Sequence, residues 1–187
     1  KEGRYRNEDI YGRNPFTIDL DTSFYQLQGT LIQLDFIEND KFIISIEFEE
    51  DKYNLINYSL DKSKPFIPES ELYEQTFSIG SIVETKFLNF TINKNSLGSD
   101  LKGQTYFIRF NNFNKIVGKF RKIDVATKKK GTSLIELSLK GPNKKKIQDY
   151  INATIEVLDK DQRKQKIQYA IKTKEYIDTL FIVESKN

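Results

Sequence analysis

Residues 121–182 read RKIDVATKKKGTSLIELSLKGPNKKKIQDYINATIEVLDKDQRKQKIQYAIKTKEYIDTLFI. Two short runs with strand-like alternation, Arg121–Thr127 and Thr132–Lys140, lead through Gly141-Pro142-Asn143 into a long segment without further proline or glycine. A segment of roughly forty such residues predicts one helix of about 60 Å, at ~1.5 Å per residue. A β region followed by one long helix indicates a protein that spans a distance or aligns with copies of itself, rather than one that encloses a substrate.

The apolar residues of this segment recur at helical spacing. Ile147, Ile151 and Leu158 lie at i, i+4 and i+11, and up to Leu158 we expect the stripe to pack on the protein's own sheet. Beyond Leu158, packing against a partner is an equal alternative, because a small β domain can hardly cover the whole helix. The candidate oligomer or helix-packing face consists of Ile167, Ile171, Ile177, Leu180 and Phe181.

Two features bear on the limits and continuity of this helix. Pro142 suits the first turn, where its missing N–H is not needed. The polar patch Asp159–Gln165 is a candidate point for a bend or an interruption.

The clearest strand pattern lies earlier, in a hairpin expected to turn at Asn39-Asp40. Apolar residues alternate with polar or solvent-facing ones on both sides of this turn, as a half-buried pleated sheet requires. The residues predicted to point into one core are Ile32, Leu34, Phe36, Phe42, Ile44, Ile46 and Phe48.

Weaker patterns complete the predicted α+β fold. Residues 61–74 hold two of the four prolines and are predicted to form a loop. A short helix is expected from Phe113 to Phe120, with Asn111 or Asn112 as its N-cap. Further strands are predicted within Phe16–Asp21, Asp51–Leu60, Thr76–Ile79, Thr85–Asn93 and Gln104–Phe110.

We therefore predict a mostly antiparallel β domain plus a strand–helix unit that ends in the long C-terminal helix. The predicted boundaries are a lead-in segment at 1–13, a β-rich domain at 14–110, and a unit of short helix, two strands and long helix at 111–187.

Composition excludes several classes of function. The 187 residues contain no Cys and no His, which removes thiol nucleophiles, disulfides, the usual zinc sites and imidazole acid–base chemistry. There is no glycine-rich phosphate loop. The net charge of +3 is small and dispersed, so nucleic acid is not expected as a partner. We predict a chain without catalytic residues, metal or cofactor.

Three patterns have both a functional and a simpler interpretation. Glu47 and Glu49 share one strand face and could serve a glycosidase, but a solvated outer face is favoured. The runs Lys128–Lys130 and Lys144–Lys146 could meet an anionic partner, but a hairpin tip and an exposed first turn are favoured. A sugar-stacking platform is weighed against ordinary packing for Tyr11, Tyr25, Tyr53, Tyr58, Tyr73 and Tyr106.

The sequence starts at Lys1 without an initiator Met, and no apolar run approaches the ~20 residues that cross a bilayer. We expect the chain to be a piece of a larger protein.

Three segments together resemble one protein family. These are Asn14–Asp21 (NPFTIDLD), the run Ser133–Asn143 (SLIELSLKGPN) with Lys146, Tyr150, Ile151 and Asn152 after it, and Lys166–Asp178; Tyr106–Asn111 also fits. The pattern is similar to the periplasmic region of Bacteroidetes-type exopolysaccharide co-polymerases. These are chain-length-determinant proteins of the Wzz/Wzc/GumC type, often fused to a cytoplasmic tyrosine kinase.

The resemblance implies a non-catalytic periplasmic scaffold in an inner-membrane protein. It implies rings of copies packed side by side, which regulate the chain length and export of a surface or exopolysaccharide. The implied partners are other copies of the chain, the polysaccharide polymerase and export machinery, and the polysaccharide itself. No kinase motif is present, so no catalytic residue is transferred. The alternative is a β-sandwich carbohydrate-binding module, and a hydrolase that uses Asp or Glu pairs is the third option.

Overall fold

The computed structural model describes residues 9–38, 40–95, 100–127 and 135–184. They form two compact units, one from Arg13 to Lys122, the other from the N-terminal segment to Gly12 together with Ile123 onward. The described residues contain twelve strands, all paired antiparallel, and two helices, the second being long and C-terminal. This confirms the predicted α+β class.

The larger unit is built from three antiparallel sheets and one short helix. Their strand orders are β10-β3-β4-β7, β1-β9-β8 and β2-β5-β6. The elements are β1 Phe16–Leu20, β2 Gln26–Leu27, β3 Ile32–Phe36, β4 Lys41–Glu47, β5 Tyr53–Asn57, β6 Lys62–Phe66, β7 Leu72–Ser78, β8 Ile82–Glu84, β9 Asn89–Lys94, β10 Thr105–Ile108 and α1 Phe113–Phe120.

The predicted hairpin is confirmed as β3 and β4. Phe36 pairs with Phe42, and all seven residues predicted to face the core are buried. The N–H of Ile37 donates to the carbonyl of Lys41 at 2.9 Å, and Asp40 takes the positive φ of 55° that Asp tolerates in turns. Asn39 lies outside the described residues. Each fully buried side chain of this size contributes about 1.5–3 kcal/mol through removal of apolar surface from water.

Aromatic rings join the sheets at the core. Phe16 of β1 lies 5.2 Å from the ring of Phe36 and contacts Tyr106 of β10 edge-on, also at 5.2 Å. Strand β9 contributes Phe90 and Ile92 to the same core, as its alternation predicts. The core therefore lies between the inner faces of these sheets.

The prediction of a loop over residues 61–74 is wrong. Lys62–Phe66 forms β6, and β7 begins at Leu72, ahead of the predicted strand start at Thr76. Proline lacks the N–H that a central strand needs, but among the described strands β6 pairs only with β5. Pro65 therefore fits an edge strand, where one side of the backbone needs no partner.

The short helix α1 is confirmed, and Asn112 is its N-cap. The Asn112 side chain accepts a hydrogen bond from the N–H of Lys115 at 3.1 Å, which satisfies one of the free donors of the first turn. The structure assigns α1 to the larger unit, whereas the sequence placed it with the C-terminal unit.

The smaller unit contains the hairpin β11 Asp124–Thr127 and β12 Ile135–Ser138, followed by α2 Lys144–Glu184. The predicted turn between these strands lies outside the described residues. Asn143 caps α2, since its Oδ1 accepts from the N–H of Lys146 at 3.0 Å. Pro142 therefore precedes the cap. The prediction that it lies in the first turn of the helix is wrong.

Helix α2 is one continuous element of 41 residues, about 60 Å long at ~1.5 Å per residue. Of the two outcomes considered for Asp159–Gln165, a bend or an interruption, the interruption does not occur. The patch has helix-favouring residues, and Arg163 forms an i,i+4 ion pair of 3.0 Å with Asp159.

Candidate functional site

The start of α2 is tied to the N-terminal segment. Asn143 Nδ2 donates to the carbonyl of Asp9 at 3.0 Å, and Lys146 Nζ lies 3.3 Å from Asp9 Oδ2. The ammonium of Lys146 also lies 5.4 Å from the ring centre of Tyr11. The backbone N–H of Tyr11 lowers the pKa of Asp9; desolvation opposes this shift, and Lys146 adds to it.

These contacts bear on the basic run Lys144–Lys146. Lys146 is paired with Asp9, and Lys145 forms an i,i+4 ion pair of 2.8 Å with Asp149. A hydrogen bond from Lys145 to Asp149, with their attraction, raises the pKa of Lys145. Two of the three ammonium groups thus have local structural roles. The other run, Lys128–Lys130, lies outside the described residues.

Beyond Thr154, the side chains of α2 are exposed as far as Phe181. Exposure of the predicted packing face ranges from 44% at Ile177 to 68% at Phe181. The other members of this face, Ile167, Ile171 and Leu180, lie within that range.

The five residues of the predicted face spread over about half of the helix circumference. Ile171 and Ile177 are about one and two-thirds turns apart at 3.6 residues a turn, so they point about a third of a turn away from each other. Leu158 and Ile167 are about two and a half turns apart, which places them on opposite sides of the helix. Ile167 and Ile171 therefore do not continue the stripe that starts at the N-terminal end of α2.

A different set of residues does continue that stripe. Its positions recur at intervals of three or four residues that average about 3.6, the period of a straight helix. Polar residues occupy three of these positions, Gln162, Gln165 and Thr173. The members of this line, here called the α2 line, are Ile151, Ile155, Leu158, Tyr169, Tyr176 and Leu180. Only Leu180 belongs also to the predicted face.

The hairpin β11–β12 carries a second uncovered apolar surface in the smaller unit. Val125 pairs with Leu137, and Thr127 pairs with Ile135, which places these side chains on one face. Val125 and Ile135 are more than half exposed. Two strands alone are marginally stable in water, so this face is expected to gain from a covering partner.

In the larger unit, a groove of about 620 Å³ lies on the outer face of the sheet β10-β3-β4-β7. Three distant segments form it: residues 28–33, residues 45–54, and the end of β10 with Arg109. Its floor is a cross-strand row in which Phe107 lies opposite Gln33, and Gln33 lies opposite Ser45.

The carboxylate pair Glu47 and Glu49 lines this groove, so the outer-face placement of the pair is confirmed. The structure does not bring the six tyrosines together in it. Tyr53 lines the groove and its hydroxyl accepts from the N–H of Glu50 at 2.8 Å. Tyr106 packs in the core, and Tyr25 lies under Lys64 at 4.2 Å. The others have local partners: Tyr11 with Lys146, Tyr58 with the carbonyl of Asn111, and Tyr73 with Gln75.

Within the described ranges, no group of three or more acidic side chains is arranged to hold a metal ion. Among the same residues, no helix combines the length and the apolar character that crossing a bilayer requires. Comparison with protein-family models, with curated proteins and with solved structures finds no match.

Proposed function

We propose that this chain is the non-catalytic periplasmic scaffold of a polysaccharide co-polymerase in the inner membrane. In this role it packs against other copies of itself and helps to regulate the length and export of a surface or exopolysaccharide. The observation that carries the proposal is the α2 line, an apolar and aromatic surface along a 41-residue helix whose side chains are exposed from Ile155 to Phe181.

The composition of the α2 line supports a contact role. Tyr169 and Tyr176 are more than half exposed, and tyrosine is enriched at interfaces because its ring is apolar while its hydroxyl remains hydrogen-bonded. A stripe with a period of about 3.6 stays on one side of a straight helix, whereas a 3.5 period drives left-handed supercoiling. The α2 line therefore suits a neighbour that lies alongside a straight helix.

Two different apolar surfaces suit a closed ring of copies. A cyclic ring beyond a dimer needs heterologous contacts, in which one patch of a subunit meets another patch of its neighbour. The smaller unit offers two such patches, the α2 line and the exposed face of β11–β12 around Val125 and Ile135. Both lie in the unit that carries the second and third segments of the family resemblance.

Site-directed cross-linking tests this proposal. Because the chain contains no cysteine, an introduced cysteine is its only thiol. Tyr169→Cys places a thiol on the α2 line, while Ile167→Cys places one about half a turn away. With a short thiol-reactive cross-linker, we expect dimers and higher species from the Tyr169→Cys protein and few from the Ile167→Cys protein. Equal, minimal yields from both variants would contradict packing through α2.

A further inference from the structure

The floor of the groove combines a flat apolar surface with hydrogen-bonding groups. Phe107 lies on the edge strand β10 and is 41% exposed; the cross-strand row continues from it to the amide of Gln33 and then to the hydroxyl of Ser45. Gln33 Nε2 donates to Asp35 Oδ2 at 2.7 Å, which fixes the amide of Gln33 and leaves its oxygen as an acceptor. An aromatic ring fixed beside amide and hydroxyl groups presents both a stacking face and directional polar contacts.

The walls add further hydrogen-bond donors and acceptors. Glu47 and Arg109 both line the groove, yet in the described part of the chain neither side chain forms an ion pair or a hydrogen bond. Asn54 contributes a side-chain amide from β5. The groove therefore offers carboxylate, guanidinium and amide groups within one concave surface.

We propose that this groove binds an uncharged, polyhydroxylated chain, that is, a segment of a neutral oligosaccharide. Sugar hydroxyls donate to carboxylates and accept from guanidinium and amide groups, so a site with both types can satisfy each hydroxyl. The C–H face of a sugar ring is apolar and fits against the ring of Phe107. A volume of about 620 Å³ falls within the usual size of a ligand pocket, about 300–1,000 Å³.

Charge decides between a neutral and an anionic chain. The groove is lined by Glu47, Glu49 and Glu50, against the two cations Lys52 and Arg109. A uronic-acid polymer would bring its carboxylates close to the three glutamate carboxylates of the groove, and these like charges would repel one another. The bound chain is therefore neutral. This inference rests on the groove alone and does not depend on assembly through α2.

Binding is tested by chemical-shift titration of the ¹⁵N-labelled full chain. The probes are neutral hexasaccharides of glucose, mannose, galactose and N-acetylglucosamine, and a hexamer of uronic acid. We expect at least one neutral probe to shift the amide signals of residues 28–33, 45–54 and 107–109, and the uronate probe to leave them unchanged. Phe107→Ala removes the stacking face and is expected to weaken this binding about tenfold.

Phe113→Ala is the matched control, because Phe113 is an exposed phenylalanine of the same unit that lies outside the groove. It is expected to bind as the wild type does. Gln33→Ala tests a second residue of the groove floor. Thermal melts verify that each variant is folded. The proposal is overturned if no neutral probe binds, if the uronate binds more tightly, or if folded Phe107→Ala and Gln33→Ala variants both retain wild-type affinity.

Discussion

Lys146 Nζ lies 3.3 Å from Asp9 Oδ2, across a sequence separation of 137 residues. With the bond from Asn143 to the Asp9 carbonyl, this contact joins the N-terminal segment to the first turn of α2. Residues 9–12 of the predicted polar lead-in thus belong to the unit of the long helix.

Asp9→Asn is expected to lower the stability of the smaller unit slightly, by less than about 1 kcal/mol, because the ion pair is partly exposed to solvent. The pKa of Asp9 is lowered in the folded state. Its stabilising contribution is therefore present above the unfolded pKa of about 3.9 and is lost as the pH falls through the folded pKa.

Thermal melts at neutral and acidic pH check this prediction. The difference between wild type and Asp9→Asn should be present at pH 7 and shrink below about pH 4. A difference that grows on acidification would contradict the account. Glu156→Gln on the exposed middle of α2 serves as the charge-matched control.

Gln26→Leu is expected to destabilise the larger unit by about 2–4 kcal/mol. Gln26 is fully buried, donates to the carbonyls of Asp21 and Asn89, and accepts from the N–H of Asn89 at 2.9 Å. Leucine fills a similar volume but leaves these backbone groups unpaired. In urea unfolding, Gln104→Leu at an exposed site should change stability by less than ~0.5 kcal/mol. Equal effects of the two substitutions would show that the Gln26 bonds are not stabilising.

Phe42→Ala is expected to cost about 3–5 kcal/mol. Phe42 is fully buried and contacts both Phe36 and Phe77, at ring distances of 5.7 and 6.0 Å. Urea unfolding of the full chain measures the loss. A change below ~1 kcal/mol would be incompatible with a place in the centre of the core.

Local patterns in the sequence were sufficient for much of the fold. The alternation around Phe36 and Phe42 predicted the central hairpin, because a strand has only two faces and only one of them is apolar. The sequence likewise limited the N-cap of α1 to Asn111 or Asn112, because the N–H that an N-cap binds lies only three residues away; the structure identifies Asn112. Pro65 misled the prediction because the sequence does not reveal whether a strand lies at a sheet edge.

The candidate sites were harder to predict because they depend on contacts between distant segments. The groove joins Gln33, Ser45 and Phe107, whose proximity follows only from the register of three strands. The α2 line is different, since counting positions at a period of 3.6 from Ile151 finds Tyr169 and Tyr176 in the sequence itself. The predicted face followed Ile167, Ile171 and Ile177 instead and so missed both tyrosines.

The central claim is that copies of this chain pack through the α2 line, and sedimentation equilibrium over a wide concentration range tests it most directly. We compare the wild type with Tyr169→Asp/Tyr176→Asp on the α2 line and with Ile167→Asp/Ile171→Asp on the other side of the helix. Circular dichroism verifies that α2 remains helical in both variants. We expect the average mass of the wild type and of the Ile167/Ile171 variant to rise above 21.9 kDa with concentration, while the Tyr169/Tyr176 variant stays monomeric. A wild type that remains at 21.9 kDa up to millimolar concentration would contradict that claim.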